Sequence, residues 1–153
     1  MPDIQAAVIN QLNLVVKDKL ASIAFYKLLG VQLELSTRAD WNKHHASTVL
    51  ANGFRFELDS ESFAEQWNPD WKEGRGRSGG IMFFGLEKRD DVDRLYNRIV
   101  EAGLHSEQIP TDAFWGERYA IVSDPDGNSV GLMSGIEPER RGKPPAPPSP
   151  QVE

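Results

Sequence analysis

With 153 residues, 26% of them charged, the chain has room for one ordinary globular domain with a real core. It has no cysteine, which excludes disulfides, thiolate metal sites and a cysteine nucleophile; no run is long enough to span a bilayer and the first residues lack a signal-peptide layout, so a cytoplasmic location without membrane attachment is expected. The formal net charge of −6 argues against nucleic acid as a partner, which would need clustered Lys and Arg, and fits a neutral or cationic small molecule better.

Ile9 to Val16 alternates, with Leu12, Leu14 and Val16 on one face and Gln11, Asn13 and Val15 on the other, and reads as a strand. Asp18 then precedes a short helix over Leu20 to Leu29, with Gly30 as its stop. Strands follow at Val31 to Leu35, Ser47 to Leu50 and Phe54 to Asp59, and Asn52-Gly53 between the last two is a hairpin signal. Phe63 to Trp71 carries Asn, Pro and Asp and reads as a loop holding Trp67 and Trp71. Glu73 to Gly80 resembles a phosphate cradle in its glycines only. It lacks the Lys-Ser/Thr ending and precedes a strand, so a flexible linker is the better reading.

The second half repeats the pattern. Gly80 to Leu86 is an apolar strand, and Asp90-Asp91 caps a helix in which Val92, Leu95, Tyr96 and Ile99 recur at helical spacing until Gly103. A short strand near His105 to Ile109 comes next. Phe114-Trp-Gly116 then leads into a strand over Tyr119 to Ser123, an Asp-Pro-Asp-Gly turn, and a strand over Ser129 to Met133. Each half is therefore strand, helix, then three strands. From Glu137 to Glu153 the chain is proline-rich and poor in apolar residues, which reads as an extended or disordered tail, with a ligand for a proline-recognition module, or a tail lying across the body of a subunit, as the alternatives.

The runs Ile9-Asn-Gln-Leu-Asn-Leu-Val-Val-Lys-Asp18, Ser22-Ile-Ala-Phe-Tyr-Lys-Leu-Leu-Gly30 and Phe54-Arg-Phe-Glu-Leu-Asp59, with Trp115-Gly116 and the Asp124 to Asn128 turn, carry a resemblance over residues 9 to 135. In them the chain resembles the vicinal oxygen chelate superfamily, the glyoxalase, bleomycin-resistance and dioxygenase group. The resemblance implies an α+β fold of two βαβββ modules whose mixed sheets curl into a cup, often as a homodimer. On this reading residues 1–136 form one glyoxalase-like domain, with modules at about 5–60 and 78–136, a linker at 61–77, and the tail at 137–153.

The resemblance also implies four metal-ligand positions, which fall on Gln11, Glu57, Gly80 and Gly131. Glycine has no side chain to ligate with, and Zn²⁺ sites normally have about three protein ligands, so no metal and no other cofactor is expected. His44 and His45 are adjacent and cannot both enter one site from a strand; exposed residues at a strand start is the plainer reading, and one of them lining the cup is the alternative. Strand alternation places Arg55, Glu57 and Asp59 on the cup face, with Gln11 and Asn13 from the first strand. In the second module it assigns Gly80, Met82, Phe84, Gly131 and Met133 to that face, the glycines clearing volume and the methionines giving adaptable wall.

The expected ligand-binding set is Gln11, Asn13, Arg55, Glu57, Trp67, Trp71, Met82, Phe84, Trp115 and Met133. Two functions remain open. One is a metal-free protein that binds a planar or amphipathic small molecule in an aromatic cup, like the drug-sequestering, antibiotic-resistance members. The other is a lyase, isomerase or dioxygenase of the same superfamily, with an altered metal site or with Glu57 as a general base.

Overall fold

Residues 7–69 and 80–147 are described by the computed structural model. The chain divides into two units between residues 78 and 79. In the first, the expected strand forms as β1 (Gln11–Val16), followed by α1 (Lys19–Leu28), β2 (Glu34–Leu35), β3 (His45–Val49) and β4 (Arg55–Ser60). The sheet order is β1-β4-β3-β2, with β1 parallel to β4 and the other pairs antiparallel. Asp18 caps α1 by accepting from the Ala21 amide at 3.0 Å, a contact worth about 1 kcal/mol. The helix buries Phe25 and Tyr26, and Tyr26 meets Phe56 of β4 edge-on at 4.9 Å between ring centroids. Each such buried side chain stabilises by about 1.5–3 kcal/mol. The Asn52-Gly53 turn forms as the sequence signals, Gly53 taking a φ of 86°.

The second unit repeats this topology. It contains β5 (Met82–Gly85), α3 (Arg89–Glu101), β6 (Ser106–Asp112), β7 (Arg118–Ser123) and β8 (Ser129–Met133), in the order β5-β8-β7-β6. Again the first strand pairs parallel with the last. Val92, Leu95 and Ile99 of α3 are buried, as are Ala120, Val122, Val130 and Leu132 of the sheet it packs on. The Asp124 side chain closes the β7–β8 turn by accepting from the amides of Asp126 and Asn128 at 2.9 and 2.8 Å. So the chain is α+β, with two four-stranded mixed sheets and neither sheet closed on itself. No helix among the described residues is long and apolar enough to cross a membrane.

Several local expectations change. Part of the segment read as loop and linker is a helix, α2 (Glu61–Trp67), packed on β1 and β4. Ser60 caps it by accepting from the Phe63 amide at 3.1 Å, and Pro69 keeps Asn68 out of helical conformation. Trp71 lies outside the described residues. Asp90 and Asp91 sit inside the first turn of α3 rather than capping it, where the positive end of the helix favours them.

The largest change concerns faces of the second sheet. Phe83 pairs with Gly131 and Phe84 with Leu132, while Met82 pairs with Val130. Paired residues share a face, and Val130 and Leu132 are core. Met82 and Phe84 therefore point to the helix side, not with Gly131 and Met133 as expected. A one-residue slip in parity turns over every side chain of a strand. At the other end of the chain, residues 137–142 are tied down. Glu137 donates its amide to the Gly116 carbonyl at 3.0 Å and Gly142 to that of Phe114 at 2.8 Å, around a 3₁₀ turn at Pro138–Arg140.

Candidate functional site

The pairing of β4 with β1 on one side and β3 on the other decides what the first sheet presents away from α1. Its register sets Gln11 beside Arg55, Asn13 beside Glu57, and His45 beside Asp59. Phe56 and Leu58 turn the other way, into the core. Alternation thus converts the Arg-Phe-Glu-Leu-Asp sequence of β4 into a line of three charged groups.

Two of those groups are carboxylates almost removed from water, Glu57 being 6% exposed and Asp59 0%. An unpartnered buried carboxylate costs several kcal/mol, and neither is unpartnered. Glu57 Oε2 accepts from Gln11 Nε2 at 3.0 Å and from Asn13 Nδ2 at 2.9 Å. Its Oε1 accepts from the Arg55 guanidinium at 2.7 Å. Asp59 Oδ2 accepts from Asn13 Nδ2 at 2.8 Å, and its Oδ1 lies 2.7 Å from His45 Nδ1. Asn13 so bridges the two carboxylates. Among the described residues no buried side-chain nitrogen or oxygen lacks a partner.

Helix α2 adds the apolar part. It follows directly from β4, and Phe63 and Trp67 stand at helical spacing beside the polar row. Together these groups line an open cleft of about 530 Å³, within the roughly 300–1,000 Å³ of small-molecule sites. A smaller cleft of about 240 Å³ lies between Trp41, His44 and Phe63, with His44 Nδ1 bonded to the Ser60 hydroxyl at 2.9 Å.

The corresponding face of the second sheet has other chemistry. A Cβ built on Gly131 would fall 2.1 Å from Phe83 Cδ1. The expectation that Gly131 clears volume is therefore corrected: the Phe83 ring fills it. Gly131 pairs with Ile121 and Met133 with Tyr119, and Trp115 stacks on Tyr119 at 6.0 Å and 19°. Trp115 also accepts a bond at its carbonyl from Arg141 at 3.2 Å. Among the described residues no group of three or more His, Cys, Asp or Glu is arranged to hold a metal ion.

Of the sequence-derived set, Gln11, Asn13, Arg55, Glu57 and Trp67 come together in one cleft. Trp115 and Met133 lie on the second sheet's open side, while Met82 and Phe84 lie on its covered side. Of the two adjacent histidines it is His45 that joins the cleft, the alternative to the plainer reading, and Phe63 is a member that sequence reasoning missed. A strand starting at Ser47 leaves His45 outside the alternation; starting two residues earlier, it puts His45 on the face of Glu57. Phe63 was lost with the unrecognised helix, whose signal was the Ser60 cap.

Comparison with known proteins follows the same lines. A profile described as Glyoxalase/Bleomycin resistance protein/Dioxygenase superfamily matches residues 8–132. A glyoxalase-related enzyme from Fulvimarina pelagi has a TM-score of 0.72 at 18% identity, covering 85% of this chain and 89% of that one. A glyoxalase/bleomycin resistance protein/dioxygenase family enzyme from Burkholderia phytofirmans PsJN gives 0.68 at 18% identity, covering 84% and 98%. A possible glyoxalase from Bacillus cereus gives 0.61 at 26% identity, covering 84% and 99%. No curated protein matches the chain. The structural likenesses speak for the fold, and the profile spans most of both modules: this chain belongs to the glyoxalase/bleomycin resistance protein/dioxygenase superfamily.

Proposed function

We propose that the protein binds a planar or amphipathic small molecule in the cleft of its first unit and does so without the divalent metal usual in its family. The observation that carries this reading is the Glu57–Asp59 pair, two buried and fully hydrogen-bonded carboxylates on the floor of an open cleft. Their donors are already in place, so little ordering is left for a ligand to drive. Trp67, 46% exposed, offers ring surface on the wall, and a stacked ring is worth about 1 kcal/mol. Arg55 at the rim supplies the opposite charge.

The donor set argues the metal part of the reading. Of the four positions the family resemblance marks, Gly80 and Gly131 bring no side chain, and Phe83 lies where a group at 131 would stand. Glu57 is already engaged by Gln11, Asn13 and the Arg55 guanidinium, a cation that a metal would have to displace. A four-ligand centre does not fit these residues. The second reading, a superfamily enzyme using Glu57 as general base, draws on the same placement of that carboxylate on the cleft floor. Homodimer assembly belongs to the proposal as well, and light scattering tests it.

A direct test titrates the dialysed protein with ethidium, a planar cation, while tryptophan emission is followed. Saturable quenching is expected, lost in Trp67→Ala and weakened about tenfold, or 1.4 kcal/mol, in Glu57→Gln. Normal binding in both variants would displace the site from this cleft. Stoichiometric Ni, Zn, Fe or Mn retained after dialysis would overturn the metal-free reading.

A further inference from the structure

We propose that His45 and Asp59 form a proton-accepting pair in this cleft, and that the pair serves a planar ring bearing a weakly acidic hydroxyl. The inference rests on the cleft being a ligand site. Asp59 is fully buried and held on both oxygens, Oδ2 by Asn13 at 2.8 Å and Oδ1 by His45 Nδ1 at 2.7 Å. An ionised carboxylate only accepts, so the proton of the second bond sits on Nδ1. In the neutral ring that leaves Nε2 with a lone pair.

Nε2 is also the open side of the ring. The His45 side chain is 26% exposed and lines the cleft. No hydrogen bond to Nε2 exists among the described residues, and no buried nitrogen is left without a partner there. Phe63 stands edge-on to the imidazole, 6.1 Å between centroids and 86° between planes. The ring is thus held by a carboxylate on one nitrogen and an aromatic neighbour beside it, with the other nitrogen left unbonded among the described residues. Carboxylate-oriented imidazoles of this kind are how general bases are built.

The surroundings select the ligand. Phe63 and Trp67 favour a flat ring, and the acceptor Nε2 calls for a donor on it. Among the described residues the charged groups facing this space are Arg55, Glu57 and Asp59 of β4, and α2 contributes two aromatic rings. The step is a single transfer: the hydroxyl O–H breaks, its proton forms an N–H bond at Nε2, and the oxygen keeps the electron pair. The imidazolium lies against Asp59, and the new oxyanion lies beside the imidazolium. His45 is the group that touches the ligand, and Asp59 positions it.

The experiment uses the full chain and 4-nitrophenol at a pH below the phenol's own pKa, where the free compound is mostly uncharged. Wild type is expected to raise the visible phenolate band saturably, and His45→Gln to lose that rise. Nitrogen-15 NMR of the unliganded protein is expected to show the Nδ1–H tautomer at His45, shifted towards the other tautomer in Asp59→Asn. Ethidium quenching without a phenolate band in wild type would overturn the inference and leave the binding reading standing. A band that persists in His45→Gln, or an Nε2–H tautomer in wild type, would overturn it too. Failure of both ethidium and 4-nitrophenol would remove the binding reading and this inference with it.

Discussion

The two units share one topology and differ in what their sheets expose. In each, the first strand pairs parallel with the last, and a helix covers one face. Between the core residues Phe56 and Leu58 the first unit places Glu57; between Val130 and Leu132 the second places Gly131. Their partners differ in step, Asn13 donating to the carboxylate in one case and Phe83 lying over the glycine in the other. The helix-facing side fixes the fold through buried apolar area, so the other side is free to vary in chemistry without altering the strand order. One sheet spends that freedom on buried charge held by hydrogen bonds, the other on ring packing.

The sharpest way to break this contrast is truncation. Asp59→Ala removes a buried carboxylate and strands Asn13 and His45, which should cost about 3 kcal/mol. Met133→Ala, on the half-buried aromatic side, should cost no more than about 1 kcal/mol. Urea unfolding of the two variants gives both numbers. Equal losses would mean that the polar network adds no specific stability.

Next in size is the glycine. Gly131→Ala puts a methyl group into the Phe83 ring, an overpacking expected to cost about 2 kcal/mol. In a Phe83→Ala background the same change should cost at least about 1 kcal/mol less. Additive effects in that double-mutant cycle would show that the ring does not depend on the absence of a side chain at 131.

The fold was legible because it is written in the covered faces. Val92, Leu95 and Ile99 at helical spacing and the turns at Asn52-Gly53 and Asp124 to Asn128 state their structures locally. The site was half legible. Gln11, Asn13, Arg55 and Glu57 follow from the alternation of two long strands, whose parity is set by Phe56, Leu58, Leu12 and Leu14. His45 depends on where a five-residue strand begins, and Met82 and Phe84 on the parity of a four-residue one. In Ile81-Met-Phe-Phe84 every residue is apolar, so nothing in the run itself tells one face from the other. Only the register with Val130 and Leu132 decides it.

A smaller effect tests how the aromatic side is held. Gly116 has a φ of 104°, and a Cβ there would meet the Glu137 carbonyl oxygen at 2.7 Å. Gly116→Ala should therefore cost about 1–2 kcal/mol through backbone strain, and should loosen residues 137–142 in particular. Amide hydrogen exchange reads this directly: the Glu137 and Gly142 amides should lose protection while Tyr119 to Val122 keep theirs.

The smallest effect contrasts exposed with buried charge. Arg118 of β7 bonds Asp93 at 2.6 and 2.7 Å and Asp112 at 3.0 Å, and Arg89 bonds Asp112 at 2.6 Å. The hydrogen bond from Arg118 holds the Asp93 carboxyl below its ordinary value of 3.8, and those from Arg89 and then Arg118 do the same for Asp112. A carboxyl lowered in the folded state stabilises fully above its unfolded value and loses that stabilisation as pH falls through the folded one. Stability should thus fall on acidification below 3.8, and Arg118→Gln should flatten that part of the curve. Asp112 is 62% exposed, so the loss at neutral pH should stay under about 1 kcal/mol and shrink in high salt. The Asp59→Ala penalty comes from a carboxylate out of reach of solvent and should not shrink. If salt reduced both alike, the Asp59 network would be solvent-screened, and the division between a buried polar face and exposed ion pairs would fail.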